Sequence, residues 1–188
     1  MRLMKKRNFL IALLALATLP ILAQTPGIDP ALLAQANRGD TASQITVGES
    51  YAGAKDLKQA AEWYKRAADQ GNVRAELHLA ALYRDGGKGF PRDMAQAAGW
   101  YAKAAEQGEV TAQAAIGVLY SIGQGVPRND VEAYYWLGLA ASVKGTNQQQ
   151  YAANRQIVGA RITTDEQADV EERVAKWLAA HPHPAAIE

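Results

Sequence analysis

Two stretches of the chain, Trp63 to Tyr83 (WYKRAADQGNVRAELHLAALY) and Trp100 to Tyr120 (WYAKAAEQGEVTAQAAIGVLY), agree at ten of 21 positions. A third tryptophan keeps the step, so Trp63, Trp100 and Trp136 stand 37 and 36 residues apart. Ala67-Ala68, Ala104-Ala105 and Ala140-Ala141 follow at the same spacing, and Ala60, Ala97 and Ala133 precede each Trp by three residues. Gly39, Gly71 and Gly108 stand four residues before Ser43, Ala75 and Ala112, and Tyr51, Tyr83 and Tyr120 follow eight residues later. Self-similarity at a step of roughly 20–50 residues means one supersecondary unit stacked on copies of itself. Three copies run over about 40–72, 73–109 and 110–146.

Each copy reads as two helices. In the first, Ala75, Leu79, Leu82 and Tyr83 fall at i, i+4, i+7 and i+8; in the second, Ala97, Trp100, Tyr101, Ala104 and Ala105 fall at i, i+3, i+4, i+7 and i+8. Both spacings gather apolar groups on one side of a 3.6-residue helix. Gly108 fits a helix-ending residue at positive φ. Gly48, Ala80 and Gly117 leave room for a neighbouring helix to come close. Between the helices lie RDGGKGFPRD and SIGQGVPRND, where Asp93 or Asp130 can cap the second helix. The first copy lacks this loop, and YAGAKDLKQA joins its helices directly.

One helix pair cannot bury both sides of its apolar stripe, whereas stacked pairs share a continuous core and need polar covers at the ends. DPALLAQANRG (29–39) resembles a second helix of a degenerate earlier copy. ITTDEQADVEERVAKWLAA opens with Thr163 and Glu166, a capping-box pair, and carries Val170, Val174, Trp177 and Leu178 on one side. A helix over 147–158 links it to the copies. The expected fold is all-α, a short right-handed α-solenoid of about three helix pairs with terminal capping helices. The expected organisation is a signal peptide (1–23), a linker (24–28), a repeat domain (29–146), capping helices (147–180) and a disordered tail (181–188).

The N-terminus reads MRLMKKRNFLIALLALATLPILAQ, with Arg2, Lys5, Lys6 and Arg7 ahead of an uncharged run from Phe9 to Ala23. That order is the pattern of a secretory signal, with cleavage expected after Ala23. The run is shorter than the ~20 residues that span a bilayer as a helix, which opposes a retained anchor. Without residues 1–23 the chain carries 16 Lys and Arg against 19 Asp and Glu, a net −3. This balance opposes nucleic-acid binding, which needs a clustered basic surface. The expected location is periplasmic or secreted, with no stable membrane insertion after cleavage. No Cys is present, so packing alone must hold an exported fold.

AxxxLAxLYRDGGKGFPRDxxxAxxWYAKAAEQG and AxxxIGxLYSIGQGVPRNDxxAxxW resemble the Sel-like repeat family, a relative of the tetratricopeptide repeats with a longer loop between its helices. The resemblance covers about residues 29–146. It implies an α-solenoid used for protein–protein interaction, as adaptor, periplasmic regulator or host-contact factor, and no shared catalytic residues. Some Cys-rich members are linked to β-lactam binding or hydrolysis, and this chain lacks their cysteines.

The residues themselves offer little chemistry, and no cofactor or metal is expected. His78 could act as a base or ligand, but its counterparts are Thr46 and Ala115, which reads as a groove-lining or solvated position. His181 and His183 lie in AAHPHPAAIE, where proline blocks helix and favours a loose tail over a metal site. Gly86-Gly87-Lys88-Gly89 and Gly123-Gln124-Gly125 lack the strand before and the Gly-Lys-Ser/Thr end of a phosphate loop, and serve as turns.

Binding residues are sought on the concave lining made by the first helices. Taking the residues five and two before each repeat Tyr, and the one after it, gives Thr46, Glu49 and Ala52, then His78, Ala81 and Arg84, then Ala115, Val118 and Ser121. Tyr134 and Tyr135 have no aromatic counterparts, the aligned residues of the other copies being Ala98 and Gly99, then Ala61 and Glu62; they are either contact residues or packing against 147–158. The function these readings support is a non-enzymatic interaction module of the bacterial envelope that binds a protein or peptide. The alternative is an envelope enzyme acting on cell-wall or β-lactam substrates. A second protomer would enlarge a groove of only three pairs, so a homodimer fits the chain's length.

Overall fold

The computed structural model describes residues 27–182. The expected signal peptide, and the tail from His183 onward, lie outside the described residues. Among those described there are nine helices and no strand: α1 (Pro30–Asn37), α2 (Thr41–Gly53), α3 (Leu57–Ala68), α4 (Val73–Asp85), α5 (Met94–Glu106), α6 (Val110–Ile122), α7 (Asp130–Ser142), α8 (Gln148–Gly159) and α9 (Thr164–Ala180). None of them is long and apolar enough to cross a membrane. Each helix packs on the next from α1 to α8, and α9 returns to lie on α7. The chain is an all-α solenoid of pairs α2–α3, α4–α5 and α6–α7, closed by α1 at one end and by α8 and α9 at the other.

The helix starts follow from short polar side chains placed one residue ahead. Asp29, Asp40, Asp56, Asn72, Asp93, Glu109 and Asn129 each accept a backbone N–H in the first turn of α1 to α7. For α7 the cap is therefore Asn129, one residue ahead of the expected Asp130, which instead pairs with Arg128 and Arg161. Thr163 and Glu166 form the capping box of α9 in full. Gly39, Gly71 and Gly108 end α1, α3 and α5 with φ between 78° and 99°, a backbone that favours glycine.

The recurring alanines explain why the pairs sit close. Ala60, Ala97 and Ala133, and Ala67, Ala104 and Ala140, are all 0% exposed. A Cβ on Gly48 would stand 2.6 Å from the Tyr64 ring, and one on Gly117 would stand 2.9 Å from Leu137 Cγ. Larger residues there would push α2 from α3 and α6 from α7. Trp63 and Trp100 are buried, and each is covered by a cation one turn on, Arg66 at 4.2 Å and Lys103 at 3.8 Å from the ring centroid. The aligned residue in the third copy is Leu139, which is buried instead, and Trp136 is left half-buried, edge-on to Tyr135.

A second thread between copies is polar. Five residues beyond each helix-ending glycine stand Gln44, Glu76 and Gln113, all buried. Gln44 donates to the Ala36 carbonyl at 3.0 Å and Gln113 to the Ala105 carbonyl at 3.3 Å, tying each copy to the helix before it. Glu76 holds the same place in the middle copy, but an ionised carboxylate has no hydrogen to give to the aligned Ala68 carbonyl. It accepts from Gln107 Nε2 at 2.8 Å. Burial pushes the Glu76 carboxyl above its ordinary range, against the pull of Lys103 and the Gln107 hydrogen bond. A carboxyl raised in the folded state weakens the fold once pH exceeds the unfolded value, and the penalty vanishes at pH below both values. Glu76→Gln is therefore expected to stabilise the protein at neutral pH by about 1 kcal/mol. The gain shrinks as pH falls through the folded value towards the ordinary carboxyl range; urea unfolding of both proteins across pH checks this.

Candidate binding groove

The first helices of the three pairs, α2, α4 and α6, share one face, and two cavities open along it. One, of about 570 Å³, lies between α2, α3 and α4. Ala52, His78 and Ala81 of the stripe line it, together with Leu57, Tyr64 and Leu82. His78 stacks on Tyr64 with ring centroids 4.8 Å apart and planes 12° from parallel. Its Nε2 lies 3.4 Å from a Glu49 oxygen, which in turn accepts from Arg74 at 2.6 Å. Burial holds the His78 imidazole below its ordinary range despite Glu49, which favours the neutral ring. Burial, reinforced by Glu49, pushes the Tyr64 hydroxyl up to about 12. A neutral imidazole flat on a protonated phenol makes a stacking surface.

The second cavity, of about 360 Å³, lies between α4, α6 and α8. Arg84, Ala115 and Val118 of the stripe meet Tyr101, Tyr151 and Asn154 there. Arg84 is bidentate to Asp85, with Nε and Nη2 donating at 2.7 and 2.9 Å, and its Nη1 donates to the Tyr101 hydroxyl at 3.1 Å. Its charge is thus already matched. Ser121 lies one step further, with Val118, Asn154 and Ile157 around a smaller recess; its hydroxyl donates to the Val118 carbonyl at 2.8 Å. Thr46 is exposed at the opposite end, donating to the Ala42 carbonyl at 3.0 Å, and lines neither cavity.

Tyr134 and Tyr135 stand away from this face. Tyr134 is buried, donates its hydroxyl to Glu171 at 3.1 Å, and lies under the Arg155 guanidinium at 4.2 Å. It fills the junction of α7, α8 and α9, so packing against the linking helix accounts for it and surface contact does not. Tyr135 is half-buried between Trp136 and Arg173, whose guanidinium sits 4.3 Å from the ring. His181 caps α9 and stacks on Trp177 at 4.1 Å, so the tail's first residue is held by the helix. Among the described residues no group of His, Cys, Asp and Glu could hold a metal ion.

The groove also contains residues the stripe did not name. Helix α8 closes its far end with Gln150, Tyr151 and Asn154. It occupies the place a fourth first helix would take. The sequence conceals this because α8 begins 12 residues beyond Trp136, whereas α4 and α6 begin 10 beyond Trp63 and Trp100. The two extra residues shift every aligned position, and no repeat Tyr marks the register.

Stacked helix pairs with a side-chain-lined face along their first helices define an α-solenoid of the tetratricopeptide-like class. The model of the Sel1 repeat matches residues 47–72, 73–109 and 110–142, over half of the chain, and the chain belongs to the Sel1 repeat family. Repeats of this family are protein–protein interaction modules. Among solved structures, the chain is similar to a protective antigen of uropathogenic Escherichia coli that displays an SLR fold. The identity is 29% and the TM-score 0.65, over 79% of this chain and 32% of the antigen. The chain thus spans about a third of the antigen's length. It is also similar to a Sel1 repeat protein from Oxalobacter formigenes, at 28% identity and a TM-score of 0.57, over 67% of this chain and 95% of that one. No curated protein matches the sequence.

Proposed function

We propose that the protein is a non-enzymatic adaptor or regulator of the bacterial cell envelope, and that it binds a protein or peptide on the concave face of α2, α4, α6 and α8. One observation carries this reading. Most side chains that recur between copies, such as Ala60, Trp63, Ala97, Trp100 and Ala133, are buried in the stack, while the stripe positions beside the cavities (Ala52, His78 and Ala81, then Arg84, Ala115 and Val118) vary from copy to copy. A repeated frame with a varied lining is what a recognition surface requires. The basic-then-apolar N-terminal sequence supports the envelope assignment.

In-cell photocrosslinking tests the reading. A crosslinker at Ala81 or Val118 is expected to trap a discrete protein adduct. The same group at Glu62, exposed on the second helix α3, is expected to trap none. Equal trapping at all three positions, or trapping at Glu62 alone, would refute binding through the groove.

A further inference from the structure

The cavity between α2, α3 and α4 has an unbalanced rim. Lys55 and Lys88 both line it, and neither enters an ion pair among the described residues. The nearby acids are already engaged. Asp85 is held by Arg84 at 2.7 Å, Glu49 by Arg74 at 2.6 Å, and Asp56 accepts from the backbone of α3. Two cations without an ion-pair partner among the described residues therefore flank a pocket lined by Leu57, Ala81, Leu82 and the Tyr64–His78 stack.

Lys55 adds an independent signal. Its φ is +65°, and it is the sole non-glycine residue with positive φ among the described residues. It follows the end of α2, where the corresponding residues after α1, α3 and α5 are Gly39, Gly71 and Gly108. A lysine in the left-handed region costs stability that glycine would not. The dipole of α2 favours a cation at this end, yet a lysine inside the last turn would collect that gain without the unfavourable backbone. Strain kept at the mouth of a pocket points to use of the side chain.

We propose that this pocket receives an acidic segment of a partner protein. One aliphatic or aromatic side chain enters between Leu57, Ala81 and Leu82 and rests on the Tyr64–His78 stack. Asp or Glu residues beside it reach Lys55 and Lys88. The proposal rests on the groove reading above and adds the chemistry of the partner. About 570 Å³ holds one large side chain and part of the main chain beside it.

Selection from a phage-displayed random-peptide library on the folded protein supplies the probe. Enriched peptides are expected to place Asp or Glu beside Leu, Ile, Phe or Trp. Their affinity is expected to fall about tenfold in the Lys55→Gly, Lys88→Gln double variant and to weaken as salt is added. Lys55→Gly relieves the left-handed lysine, so a melting temperature at or above that of the parent shows that the fold is intact. Binders without acidic residues, or affinity unchanged in the double variant, would overturn the proposal; so would a selection that yields no binder. In those cases the groove reading is judged separately, by the adducts from positions 81 and 118.

Discussion

Trp100→Ala lowers the stability of the fold by about 3–5 kcal/mol, measured by chemical denaturation. Trp100 is 7% exposed in the middle copy, and the Lys103 ammonium lies over its ring. Truncation to Ala opens a cavity at the centre of the stack, where α5 packs on both α4 and α6. In a solenoid each copy is held by its neighbours, so damage in the middle weakens two interfaces. The unfolding transition is therefore expected to broaden as well as shift. Trp136→Ala, at a half-buried site near the end of the stack, is the matched control and costs less.

Gly125→Ala is expected to cost about 2–5 kcal/mol, by adding a left-handed backbone penalty to overpacking. Gly125 has φ +76°, and a Cβ there would stand 2.0 Å from the Met94 carbonyl oxygen, which is backbone and cannot rotate away. The contact joins the loop of the third copy to the first residue of α5 in the second. In the loop of the second copy a Cβ on Gly87 would meet Leu57 Cδ1, the end of a flexible side chain on the first residue of α3, whereas Gly89, which precedes Phe90-Pro91 as Gly125 precedes Val126-Pro127, has nothing near its Cβ position. Gly125 acts as a close-contact point between copies as well as a turn. Gly99→Ala is the control, because Gly99 is exposed and has nothing near its Cβ position. Its substitution should stabilise α5 slightly through helix propensity.

The repeat made the core legible. Several positions that recur at the 36–37-residue step, such as Ala67, Ala104 and Ala140, have no exposure. Helical arithmetic from each repeat Tyr also located Ala52, His78, Ala81, Ala115 and Val118 beside cavities. What the sequence hid depends on partners far along the chain. Tyr134 looked available because its counterparts are small, yet Arg155 and Glu171 enclose it. The contribution of α8 was masked by a two-residue insertion. Glu76 stands where the other copies have Gln44 and Gln113, but its burial, and the carbonyls those glutamines serve on the preceding helix, depend on the stack and leave no mark in one copy's sequence. Lys55 gave no sign in one dimension, since its left-handed backbone is a property of the turn.

No copy stands alone, because each hides its apolar stripe against the next. The direct measurement is far-UV circular dichroism of an excised middle unit, residues 73–108, as a monomer beside the intact protein. The expected result is a largely unstructured peptide with no cooperative melting, against a helical, cooperatively melting parent. A monomeric excised unit that is fully helical and melts in a sharp transition would contradict it.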